Sequence, residues 1–148
     1  GLHVTIHAGE WGPASNVQEA IENLGAERIG HGVRILEDDV VVSLAKERGT
    51  VFEVCVTSNF QSGVVKSVET HPLQKMMEAG LKVTINTDDP SISRITLANE
   101  YQIVCDKLNV ELDALKKSVI LAAQSAFLDD KDKEKLITLL KKELKIKD

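Results

Sequence analysis

The chain predicts an α/β fold of parallel strands joined by helical crossovers. Three observations carry this reading. One unit recurs: a short β-rich run, a polar turn, and an amphipathic stretch that ends at glycine. Strand-like and helical runs alternate, an order that fits parallel strands with right-handed crossovers. The 148 residues, 43% of them apolar, suffice for one domain with its own core.

Taken in order, Leu2 to His7 is the first strand, followed by a helix over Ser15 to Leu24 with Val17, Ala20, Ile21 and Leu24 on one face. Gly25 stops that helix. Arg28-Ile29-Gly30-His31 is a brief second strand, and Asp38 or Asp39 caps a helix carrying Val41, Leu44 and Ala45 up to Gly49. Val51 to Cys55 is the third strand. A polar loop follows, with Thr57-Ser58-Asn59 read as a turn held by side-chain hydrogen bonds. A helix from Pro72 packs Leu73, Met76 and Met77 and ends at Gly80; Lys82 to Asn86 is the fourth strand. Three helices complete the chain, near Ile95–Lys107, Leu112–Phe127 and Lys131–Lys145. Two architectures satisfy this pattern, a doubly wound sheet and part of a (β/α)8 barrel, and both place reactive groups at the carboxyl ends of strands.

Composition narrows the function classes. A net charge of -5 argues against general nucleic-acid binding, and no apolar run approaches the roughly 18 residues of a membrane span. The basic tail Lys141 to Lys147 is interleaved with acids and leucines and reads as the solvated face of a terminal helix. Cys55 and Cys105 form no framework and read as reduced thiols of a cytoplasmic protein. The opening Gly1-Leu2-His3 enters strand-like sequence without a basic leader, as though in mid-domain.

Chemistry-bearing residues follow each strand: His7 and Glu10 in HAGE, His31 in GHG, Thr57-Ser58-Asn59, and Asp88-Asp89 in INTDDP. Imidazoles and carboxylates gathered at one rim suit metal-assisted hydrolysis, with zinc as the fitting ion. A dication would also offset the adjacent charges of Asp88 and Asp89. Competing signals are weak. GHGVRI has Ile35 where a dinucleotide loop needs its third glycine, and Ser58 lacks a nucleophile elbow. His3 reads as packing or solvent-facing, His71 as the residue leading into the helix at Pro72, and Trp11 as simple loop packing.

VTIHAGE, ERIGHGVR, CVTSN and INTDDP, in this order and spacing, resemble the C-terminal half of the adenosine deaminase family of amidohydrolases, in its bacterial form. The resemblance runs from Val4 to about Phe127 and implies strands five to eight, plus the C-terminal helices, of a (β/α)8 TIM barrel with one Zn2+. It implies His7 and Asp88 as zinc ligands and Glu10 as the acid that protonates purine N1. His31 would orient and help deprotonate the zinc-bound water, and Asp89 would bond purine N7. The implied reaction is hydrolytic deamination of adenosine or 2'-deoxyadenosine, with ammonia leaving after hydroxide adds at C6. A related adenine or aminofutalosine-type deaminase, or a non-catalytic half-barrel scaffold, are the alternatives.

Two departures stand out. The family's H-x-H pair on the first barrel strand has no counterpart here, since His3, Val4 and Thr5 belong to the fifth-strand segment. Val56 stands where many relatives have proline. The expectation is therefore that residues 1–148 are one half of a barrel whose N-terminal half is absent, weak or inactive alone. Such a half should present open edges and a hydrophobic interior without an opposite wall, and so self-associate or pair with the missing half.

Overall fold

The structure, a computed structural model, describes residues 1–146. Four parallel strands, β1 (Thr5–Ala8), β2 (Arg28–His31), β3 (Val51–Val54) and β4 (Lys82–Ile85), form one sheet in the order β1-β2-β3-β4. A doubly wound sheet must reverse its strand order somewhere, whereas this one never does. The sequential order is that of a barrel wall. The first strand starts and ends later than its apolar run suggests, so His7 is its third residue and not its last.

Helices α1 (Ala14–Glu22) and α2 (Asp39–Arg48) cross between the first three strands. Asp38 supplies the α2 cap, its carboxylate accepting Val40 N–H at 2.9 Å, and Gly49 closes the helix at φ 67°. Cys55 leads into α3 (Val56–Gln61), where the sequence had suggested a turn; α4 (Leu73–Glu78) precedes β4. A four-residue helix α5 (Pro90–Ser93), also unforeseen, follows the paired aspartates. Then come α6 (Leu97–Leu108), α7 (Leu112–Gln124) and α8 (Asp130–Glu143). The basic residues of the tail sit on or just after α8, which buries no residue fully; Lys147 lies outside the described residues.

The two faces of the sheet differ in chemistry. Ile29, Phe52, Val54, Val83 and Ile85 alternate onto one face and pack with Val17, Ile21, Val41, Leu73, Met76 and Val104 from the helices. The other face carries Thr5, His7, Arg28, Glu53, Thr84 and Asn86. Thr5 donates to Glu53 Oε2 at 2.7 Å, Arg28 Nε stands 3.5 Å from Glu53 Oε1, and Asn86 donates to Thr84 at 2.9 Å. The expected hydrophobic interior is therefore largely polar, with Thr5 and Arg28 meeting Glu53 across strands and Asn86 bonding Thr84 along its own. Among the described residues, no helix is long and apolar enough to cross a membrane.

Candidate metal and active site

Parallel register brings the reactive groups together. His7 on β1 is directly opposite Gly30 on β2. A Cβ at Gly30 would lie 2.4 Å from His7 Cδ2, so the glycine is what leaves room for the imidazole. His31 ends β2 at φ 64°, and Asp88 follows β4 at φ 60°. Both are non-glycine residues in the left-handed region, where a Cβ is crowded. Strain held at two such residues at one rim is a mark of a functional site. One ligand atom each from His7, His31 and Asp88 lie within 4.8 Å of one another. The rings of His7 and His31 meet edge to face, centroids 4.9 Å apart, and Glu10 Oε2 stands 3.6 Å from His31 Nε2. A cleft of about 370 Å³, lined in part by His7, His31, Cys55, Asp88 and Leu97, opens over them.

The residues around this cluster were mostly not foreseen. The first turn of α3 uses each residue of Thr57-Ser58-Asn59 differently. Ser58 donates to Asp88 Oδ2 at 2.7 Å, and Asn59 bonds His31 Nδ1 at 3.1 Å. Thr57 donates its N–H and hydroxyl to Glu100, a fully buried carboxylate from α6. His71 does lead into α4, its Nδ1 accepting Leu73 N–H at 3.0 Å, but it is also buried and bonded to Asn59 at 3.1 Å. Burial lowers the pKa of His71 to about 4. Burial likewise lowers that of His31, although the Glu10 and Asp88 carboxylates oppose the effect. The Cys55 thiol is pushed up by burial and by the charges of Asp88 and Glu100, which keeps it protonated and inert.

Asp89 is exposed, and its Oδ1 accepts N–H groups of Ser91 and Ile92 at 3.0 and 3.1 Å as the cap of α5. Adjacent aspartates thus serve separate ends, Asp88 the cluster and Asp89 the next helix. Trp11 is 63% exposed instead of packed, while its carbonyl accepts Arg34 Nη1–H at 2.6 Å.

Imidazoles and carboxylates at the carboxyl ends of a sequential βα wall stand where a (β/α)8 barrel enzyme carries its active site. The comparisons specify the family. Residues 1–143 match the family described as adenosine deaminase, and the chain belongs to that family. The adenosine deaminase of Aliivibrio fischeri is 40% identical over 135 residues, 91% of this chain and 40% of its own length. An adenine deaminase from Arthrobacter aurescens superposes with a TM-score of 0.92 at 31% identity, covering 97% of this chain and 44% of that one. An amidohydrolase from Burkhoderia ambifaria, solved with bound Zn, superposes at 0.89 with 27% identity over 98% of this chain and 41% of that one. The chain thus spans about two fifths of the length of the relatives it matches.

Proposed function

We propose that the chain is the C-terminal half of a zinc-dependent purine deaminase, its four strands being the fifth to eighth of a (β/α)8 barrel. The observation that supports this most is the convergence of His7, His31 and Asp88 donor atoms within 4.8 Å at strand ends, with Glu10 beside them. Imidazole and carboxylate are donors that zinc takes in catalytic sites. His7 and Asp88 would hold the ion, and family resemblance assigns the remaining ligands to the H-x-H strand that this chain lacks. When bound, zinc lowers the pKa of a water from 15.7 to about 7.

The chain's own residues then divide the work. Glu10 carries the proton for purine N1, which makes C6 electrophilic. Asp88, steadied by Ser58, would turn its carboxylate toward the metal. Asp89 takes the purine N7 edge while its Oδ1 stays tied to α5. The net reaction adds water and releases ammonia. Adenosine or 2'-deoxyadenosine is the substrate by kinship with the Aliivibrio fischeri relative. An adenine-type substrate is the second reading, favoured by the superposition on an adenine deaminase.

Metal content measured by mass spectrometry tests the reading. With the remaining barrel segment supplied, the parent chain should take up one zinc per chain and Asp88→Ala none. Absence of metal at every protein concentration under those conditions would overturn the reading in favour of a half-barrel scaffold. Loss of absorbance at the purine band with adenosine, against adenine, separates the substrates in any preparation that turns over. Self-association or pairing with the missing half follows from the open β1 and β4 edges. Light scattering that finds only a compact monomer would contradict self-association.

A further inference from the structure

The ring proton of His31 is placed by residues that the proposed reaction does not otherwise use. Leu73 N–H donates to His71 Nδ1 at 3.0 Å. A ring nitrogen that accepts a hydrogen bond carries no proton, so His71 is a neutral imidazole protonated on Nε2. That N–H meets Asn59 Oδ1 at 3.1 Å. Asn59 is 0% exposed and has no solvent to turn toward. With its oxygen committed, its amide nitrogen meets His31 Nδ1 at 3.1 Å. An amide nitrogen donates only, so His31 Nδ1 accepts, and the ring proton of His31 sits on Nε2, the atom 3.6 Å from Glu10 Oε2.

We propose that His71 and Asn59 are positioning residues that lock His31 as an Nε2–H donor into the cleft. The opposite polarity would require Asn59 to turn over, setting its NH2 against the Nε2–H of His71. Two donors would then face each other in a buried place, with neither satisfied. The consequence for chemistry rests on the reading of the cleft as an active site. An Nε2 that already carries the ring proton neither ligates a metal nor takes a proton from water. His31 therefore orients an oxygen by donating to it, which leaves the metal to His7, Asp88 and groups outside this chain. This keeps the orienting role that resemblance assigned to His31 and drops its share in deprotonating the water.

The test needs neither metal nor substrate. Long-range proton–nitrogen NMR correlations on the 148-residue chain, labelled in its histidine rings, report which nitrogen bears each proton. His31 and His71 should both show a protonated Nε2 and a bare Nδ1. Asn59→Asp replaces the donor by an acceptor of the same shape, and His31 should then gain a proton on Nδ1 while the remote His3 signals stay put. His71→Leu frees Asn59 to turn over, and His31 should split between the two tautomers. A proton on Nδ1 of either ring in the parent, a folded Asn59→Asp with unchanged His31 shifts, or a single unchanged tautomer in His71→Leu would each overturn the proposal. Should Asn59→Asp fail to fold, the parent and His71→Leu decide. A chain that shows this pattern yet binds no zinc would sink the active-site reading and leave the bond chain standing.

Discussion

At the amino ends of the strands, His3 stacks on Phe127 with centroids 4.5 Å apart and pairs with Glu27 at 2.8 Å, both side chains about half exposed. At the carboxyl ends, His31 is 1% exposed, bonded to Asn59 and set on a left-handed backbone. A larger cleft, about 480 Å³, lies at the amino ends between His3, Arg28, Lys82, Phe127 and Lys133. There Arg28 lies over the Phe127 ring, 3.7 Å from its centroid. The contacts at that end are those of a surface, screened by water and tolerant of change. At the other end, His31, Asn59, His71 and Glu100 are removed from water and held by specific hydrogen bonds. Cleft size does not mark the site; desolvated, strained and mutually bonded polar groups do.

Substitutions at four positions put that contrast to the test. The largest effect belongs to His71. Its ring is neutral in the folded state and protonates freely in the unfolded one, so stability is fullest above pH 6.5 and falls as pH drops toward 4. The share due to His71 is about 3 kcal/mol, and urea unfolding of His71→Leu should show a correspondingly flatter pH profile over that range. Gly30→Ala comes next. Its methyl group would displace the His7 ring, and zinc affinity measured by competition with a chelator should fall about 10- to 100-fold with the circular dichroism unchanged. Ser58→Ala removes one donor from Asp88, for which about tenfold weaker zinc binding is expected. His3→Gln should be the mildest, changing the stability read from urea unfolding by no more than about 0.5 kcal/mol. An effect of His3→Gln that matched Gly30→Ala on zinc would erase the distinction between the two ends.

The parts of this design legible in the sequence were those with local signals. Alternating runs placed the four strands, Gly49 marked a helix end, and strand-end positions marked His7, Glu10, His31 and Asp88. Choosing a barrel wall over a doubly wound sheet needed the strand order, which periodicity does not carry. Glu100 stayed hidden because it sits on a helix like any solvated acid, and its partner Thr57 is 43 residues away. Asn59 was read as a turn residue, since its bonds to His31 and His71 exist only after three elements converge. The polar lining of the open face was missed for a related reason. Four-residue strands with a glutamate or a lysine look merely short and mixed until register aligns Thr5, Arg28 and Glu53.

The positive φ angles at His31 and Asp88 have a consequence for anyone who would make this protein sturdier. Glycine or asparagine would sit more comfortably at either position, so an optimisation guided by backbone comfort would start by rewriting these two. At Asp88 the swap would ease the backbone and remove the rim's carboxylate. At His31 it would also empty a buried place and leave the Asn59 amide without its acceptor, so the comfort gained is packing lost.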